Sequence, residues 1–442
     1  MHAGVFRFLA VCLVVFSMVA LAGCKARQAA SSDALAGGVN ADRNAAYDGN
    51  SAPQDSGLPI DEAVMPGGGR VSDNELSFGQ GQRARCVYGV YVESRSDAIN
   101  NRLNISGGEI ADSAYGAFTE GRAMRNKVTV MGGKIGRRVE GGHGREGSTE
   151  NELIFAGGSV ENAYGGYSSD GPADNNRLVV RGGLITDDAQ AGLSLRSSAS
   201  GNTLVVEGGV IEDQAYGGYG MEGPATGNTT IVSGGVIKGD AQGAVSSTHQ
   251  ATGNTLILRG SPQIGGSLYG AFAVSEHGDS PDDITGNKIL FEGFTGALGD
   301  IWNAEEVRID AKSRIANRER VLNFYACRQV KNDGIIAAAQ GEKIHLMVDS
   351  YSGKGGFELE PGAALVLELK ELNAPLRLKI KADGQLRPFS RLPVVDLQAG
   401  ALGKGMTYDN AVQLLDGKAG GLILRLEREQ DGSGYLWYLS GE

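Results

Sequence analysis

Asn176-Arg177-Leu178-Val179-Val180-Arg181-Gly182-Gly183-Leu184-Ile185 is answered further along the chain by Asn202-Thr203-Leu204-Val205-Val206-Glu207-Gly208-Gly209-Val210-Ile211. The same order runs through this part of the chain: asparagine, two alternating apolar residues, a glycine doublet and one more aliphatic. Its asparagines are Asn101, Asn126, Asn151, Asn176, Asn202, Asn228 and Asn254, with a worn copy at Asn74 and another at Asn287 after a longer loop. Neighbours from Asn101 to Asn254 stand about 25 residues apart, and a period of that length marks one supersecondary unit stacked many times.

Each unit opens as a strand, because the second and fourth residues after Asn are apolar and a period of two puts them on one face. The pairs are Leu103/Ile105, Val128/Val130, Leu153/Phe155, Leu178/Val180, Leu204/Val206 and Leu256/Leu258; only Thr230 breaks the series. The doublets Gly107-Gly108 to Gly234-Gly235 predict a corner that needs positive φ or close backbone approach. One more aliphatic follows each, at Ile110, Ile135, Val160, Ile185, Ile211 and Ile237. Such a unit cannot bury its apolar face alone, but stacked copies can. The expected fold is therefore all-β: a single-stranded, right-handed parallel β-helix with one unit per coil. The 69 glycines suit a fold made of corners. A period near 50 with glycine doublets would suit a kelch propeller, but here the doublet comes twice as often. An asparagine held in register at one corner predicts an internal ladder, each amide donating to the next coil.

A longer period lies over the first. Aromatic pairs occur at Tyr115/Phe118, Tyr164/Tyr167, Tyr216/Tyr219 and Tyr269/Phe272, while intervening units carry Ala189-Gln190-Ala191-Gly192 and Ala241-Gln242-Gly243-Ala244. An earlier pair, Tyr88/Tyr91, breaks the alternation. Pairs recurring every second coil stand roughly 10 Å apart. Exposed, they would offer flat faces to successive sugar rings; packed, they would fill space beside the smaller Gln-bearing coils.

The amino end carries a different signal. Arg7 precedes an apolar run from Phe8 to Ala20, and Leu21-Ala22-Gly23-Cys24 closes it. The layout is that of an export signal. Its last four residues resemble the lipobox of bacterial lipoproteins, a likeness that implies cleavage before Cys24, lipid on that cysteine and, with Lys25 next, outer-membrane retention. Residues 24–70 are rich in Ala, Ser, Asp, Gly, Asn and Pro and are expected to form a tether rather than a folded body. The repeat β-helix is then expected over 71–293 and a less regular β region with a cap over 294–442. Within the latter, Ile344/Leu346/Val348, Leu365/Leu367/Leu369 and Leu376/Leu378/Ile380 alternate as strands, with Arg377, Lys379 and Lys381 on a solvated face, and Leu422 to Leu439 reads as a terminal hairpin. A cap is needed because an open β-helix exposes a sheet edge.

Composition narrows the partners. The formal net charge is −11, and removal of the signal takes one further basic residue, Arg7. Nucleic acid is thereby disfavoured. Cys86 and Cys327 belong to opposite ends of the repeat, eight coils or roughly 38 Å apart, too far to bridge unless the C-terminal part folds back. His143 and His249, about 19 Å apart, cannot share a metal ion. His277 lies in the longest loop with Asp279, Asp282 and Asp283, a segment expected to be solvated. Asp187 and Asp213 fall at equivalent positions of neighbouring coils, about 5 Å apart, a pair that suits acid–base sugar chemistry or calcium but shows no third partner. No nucleophile elbow, P-loop or calcium-binding nonapeptide is present, so no catalytic set, cofactor or metal is expected.

With Asn, Gly-Gly and Tyr-Gly-Gly laid out in this way, residues from about Asn74 to Gly293 resemble the repeats in passenger regions of bacterial autotransporters and adhesin-like surface proteins. The ending Gly434-Tyr435-Leu436-Trp437-Tyr438 is also similar to the last passenger strands of that family. The sequence departs from that pattern in that no membrane barrel follows Glu442, and the expectation is that the lipid at Cys24 would be the anchor instead. The resemblance implies a non-enzymatic adhesin or structural lipoprotein of the cell envelope whose partners are the membrane and host or envelope glycans or proteins. A polysaccharide-active β-helix enzyme and a glycan-binding module using the aromatic pairs are the alternatives.

Overall fold

The computed structural model describes residues 63–64, 71–273, 285–382, 384–398, 401–431 and 434–442. Among them the chain is all-β and winds about 12 turns of a parallel β-solenoid. In the turn that starts at Asn101, five short strands follow one another: Arg102–Ile105, Glu109–Ile110, Ser113–Tyr115, Phe118–Thr119 and Arg122–Met124. Each pairs in parallel and in register with its copy one coil on, so that Leu103 faces Val128, Ile110 faces Ile135, Tyr115 faces Glu140 and Phe118 faces His143. The apolar pairs and the aliphatics after the glycine doublets all point inward and are buried in one continuous core. Thr230 points inward too; its hydroxyl donates to the Gln242 carbonyl at 2.6 Å, which removes the cost of burying it.

Two left-handed corners close each coil. The second glycine of every doublet has positive φ, as at Gly183 (81°) and Gly209 (80°). The other corner is the residue before the ladder asparagine. It is Asn100, Arg125, Glu150 and Asn175 in the early coils, with φ between 54° and 58°, and Gly201, Gly227 and Gly253 later. The ordered stack also begins before residue 71, because Ala63 and Val64 pair in parallel with Cys86 and Val87.

After Lys288 the coil changes. Strands lengthen to 9–12 residues (Ile301–Ile309, Val321–Asn332, Lys343–Ser352), and the repeat shortens, with Ile344 opposite Leu365 and Ile336 opposite Phe357. The alternating residues of 344–348, 365–369 and 376–380 are buried, and Lys379 and Lys381 are exposed. Leu422–Asp431 and Gly434–Gly441 form an antiparallel hairpin, and Gly434–Gly441 also pairs antiparallel with Phe389–Gln398. This hairpin covers the last parallel strand with a charged edge containing Arg425, Glu427 and Glu429, the arrangement that discourages edge-to-edge association. Cys327 is free and buried in the core, so it forms no bridge with Cys86. Burial pushes its thiol up to about 12.

Candidate functional site: an elbow lined by aromatic and acidic columns

Ser113–Tyr115 and Phe118–Thr119 meet at an elbow whose inner angle faces away from the core. Ala114 packs into the main core and Ala117 into a second small-residue cluster, while the Tyr115 and Phe118 rings converge outside, 5.3 Å apart and edge to face. The bend requires Gly116, where a Cβ would lie 2.2 Å from the Gly141 carbonyl oxygen. Stacking repeats the elbow into two side-chain columns. One runs Tyr88, Tyr115, Glu140, Tyr164, Gln190, Tyr216, Gln242, Tyr269 and Trp302; the other runs Tyr91, Phe118, His143, Tyr167, Leu193, Tyr219, Val245 and Phe272.

The expected glycan platforms thus sit side by side along one elbow, but not as open faces. Tyr115 (4 % exposed), Tyr164 (5 %), Tyr216 (7 %) and Tyr167 (9 %) are packed in, and only Phe118, Tyr219, Tyr269 and Phe272 are half-buried. The coils between the pairs fill the gaps. His143 stacks between Phe118 at 4.4 Å and Tyr167 at 4.6 Å, and Leu193 packs with Tyr164 and Tyr167. Burial pushes the Tyr167 hydroxyl up to about 12 and those of Tyr164 and Tyr216 well above the ordinary range.

Sequence reasoning missed the coil at 138–143, which carries no aromatic pair. Glu140, wholly buried, receives His143 Nδ1 at 2.8 Å on Oε2 and lies 3.0 Å from Arg138 Nε through Oε1. The Arg138 contact is an ion pair rather than an aligned hydrogen bond. Burial pushes the Glu140 carboxyl up, but Arg138 and His143 outweigh it and hold the group below the usual carboxylate range. Arg138 also lies over the Tyr115 and Tyr167 rings, at 5.7 and 5.4 Å. The signal was in the sequence: Glu140 and His143 stand at the positions of Tyr115 and Phe118, one unit on. The carboxylate is wholly buried, and Arg138 and His143 tie it into the column.

The asparagines form a second column at a corner of the coil. Each Oδ1 accepts two hydrogen bonds from the preceding asparagine, one from its backbone N–H and one from its Nδ2. For Asn176 on Asn202 these measure 2.8 and 3.1 Å, and for Asn228 on Asn254 2.9 and 3.0 Å. The pattern includes Asn74 on Asn101, runs through Asn101, Asn126, Asn151 and Asn202, and ends with Asn254 on Asn287. A second Nδ2 bond reaches a backbone carbonyl of the coil before, as from Asn202 to Ala173 at 2.8 Å.

Asp187 and Asp213 lie on the approach to the elbow with Asp188, and one ligand oxygen from each falls within 4.8 Å of the others. Burial, then the charges of Asp187 and Asp213, push the Asp188 carboxyl up to about 7. Of the other histidines, His345 contacts Glu368 at 3.0 Å and His249 contacts Thr248 at 2.8 Å; His277 and its aspartates lie outside the described residues, as do Cys24, the signal segment and most of the tether. Among the described residues no helix is long and apolar enough to cross a membrane. Comparison with family models, with curated proteins and with solved structures gave no match.

Proposed function

We propose that this protein is a lipid-anchored, non-enzymatic scaffold or adhesin of the bacterial cell envelope, held at Cys24 by the lipid that its lipobox-like segment implies. The observation that carries the non-enzymatic part is how the chemically able groups are used. The ladder amides spend their hydrogen bonds on the coils above and below, the Arg138–Glu140–His143 trio spends its charges within its own coil and its faces on the neighbouring rings, and the inner tyrosines are packed into the column. A rigid rod of stacked coils suits display of a surface at a distance from a bilayer, and autotransporter-like repeats point the same way.

A glycan-binding reading keeps one supporting observation, the half-buried rings of Phe118, Tyr219, Tyr269 and Phe272 along the elbow. The test of the main reading is Cys24→Ser. The variant is expected to leave the membrane fraction and escape protease treatment of whole cells, while wild type stays membrane-bound and is cleaved from outside. A variant that still fractionates with membranes would remove the anchor. Turnover of acidic polysaccharides by the wild type would remove the non-enzymatic assignment.

A further inference from the structure

We propose that residues 57–62 form the amino-terminal cap of the solenoid, laying Leu58 and Ile60 over the inward face of the coil that begins at Asn74. That coil is the open end of the stack, yet its Leu76 and Phe78 are each 1 % exposed, almost as sealed as Leu103 and Ile105 one coil further in, at 0 %. In a stack whose coils are covered only by their neighbours, an end coil with nothing on it would expose these side chains. Among the described residues the preceding coil is present over half of the opening: Ala63–Val64 pair with Cys86–Val87, and Ser72 bridges to Ile99. Over Glu75–Phe78 and Arg83–Ala84 no described strand lies, since among the described residues each pairs only with the coil that follows.

The register selects the occupant. Ala63 and Val64 run parallel to Cys86 and Val87, so the residues just before Ala63 approach from the side of Phe78. The walls they join face each other across the core, because within a later coil the Thr230 hydroxyl reaches the Gln242 carbonyl at 2.6 Å. From Ile60 to Val64 is a step of four residues, against nine from Phe78 to Val87 round the corner. Four extended residues reach about 13 Å, enough to cut across walls that stand about 10 Å apart. Leu58 and Ile60 are also the only Leu, Ile, Val, Met or aromatic residues between Tyr47 and Ala63, and their spacing repeats that of Leu76 and Phe78. Pro59 between them is the second, independent sign. Outward-facing residues of these strands send their N–H to the coil before, as Arg102 does to Asn74 O and Lys127 to Asn101 O, each at 2.8 Å. A first strand has no coil before it, and Pro59, outward by alternation, has no N–H to be left unpaired there. Asp61 and Glu62 follow it with charge, which discourages pairing of that edge with other chains.

The test is hydrogen exchange of the full chain read by mass spectrometry, with light scattering on the same samples. Leu58→Asp combined with Ile60→Asp should speed exchange of the backbone amides at 75–87 by about tenfold or more, while those at 203–206 keep their wild-type rates and show that the coils are folded. Leu58→Ala combined with Ile60→Ala removes the apolar contact without adding charge and should act in the same direction, which keeps the test valid if the charged variant does not fold. Leu35→Asp combined with Val39→Asp, apolar residues further from the first coil in sequence, should change nothing. Wild-type exchange at 75–87 in the Leu58 and Ile60 variants would overturn the proposal, and so would equal speeding by the Leu35 and Val39 changes. A concentration-dependent dimer whose dissociation alone exposes those amides would also overturn it, by making a second copy the cover.

Discussion

Between Asn101 and Asn254 a coil takes about 25 residues and breaks into five short strands, whereas after Lys288 the coil is shorter and its strands are longer. Those later strands run to 9–12 residues. The first region fixes its register with polar atoms. A hydrogen-bonded amide passes from coil to coil, two left-handed corners recur at set positions, and the elbow lets side chains stack outside the core as well as inside. Among the described residues the second region has no such ladder. Asn287 is the last member, and beyond it the Gly286 N–H turns to the Glu305 carboxylate. Register there rests on apolar packing along long strands and on isolated contacts such as Asn332 Nδ2 to the Tyr351 hydroxyl at 3.2 Å. Short strands need many corners, and corners leave backbone groups that only a dedicated side chain can satisfy. Long strands satisfy their own backbone and can do without one.

Both regions share the interior, so the largest effect should be common to them. Val206→Asp places an unpaired charge in a fully buried position and should cost on the order of 3–5 kcal/mol, read as a drop in the denaturant midpoint. Leu367→Asp should cost a similar amount. In a stack where each coil touches only its neighbours, hydrogen exchange should report loss of protection confined to a few coils around each site. A wild-type midpoint for Val206→Asp would mean that the alternation had been assigned to the wrong face.

The next effect belongs to the repeat region alone. Tyr167→Ala combined with Tyr219→Ala removes two rings from the outer column, one packed against His143 and one whose hydroxyl contacts Ser247 at 2.8 Å. As packed spacers they should cost about 2–4 kcal/mol together, below the value for two core aromatics because one is half-buried. Loss of glycan binding with an unchanged thermal midpoint would instead make the elbow a recognition surface and reverse the reading of these columns.

How much of this was readable follows from what each residue does. Leu204 and Val206 show their inward face by alternation, and the doublet Gly208-Gly209 marks its corner because positive φ excludes most other residues. The second corner was hidden: Arg125 and Glu150 adopt positive φ, about 55°, with side chains that give no sign of it. The outer columns were half visible. Tyrosine pairs show as pairs, but Glu140 and His143 belong to the column only through register, which composition does not reveal. Asp188 escaped notice for a related reason, since joining it to Asp187 and Asp213 depends on side-chain direction at the turn into the elbow. In the C-terminal region alternation revealed the strands around Ile344 and Leu365, but nothing punctuates the shorter coil, so its length could not be read.

The smallest effect is also the sharpest on the difference between the regions. Asn202→Ala removes the acceptor for two donors of Asn176, and with it the donors to Ala173 O and Asn228 Oδ1. Part of the loss is offset, because Asn176 Nδ2 keeps its bond to Ser148 O at 2.9 Å. Leaving buried polar groups partly unmatched should therefore cost about 1–3 kcal/mol, measured by urea denaturation. Asn332→Ala in the ladderless region interrupts only a local turn bond from Gly334 and contacts with Tyr351 and Gly356, and should cost less, about 1 kcal/mol. The location of the damage should differ as well. Asn202 Oδ1 accepts the Asn176 N–H from the preceding coil, so its loss should raise hydrogen exchange one coil away, at Asn176, while that of Asn332 should stay within its own turn and the coil that follows. Equal costs and equally local exchange at the two sites would show that the amide column adds nothing to the register beyond what apolar packing already supplies.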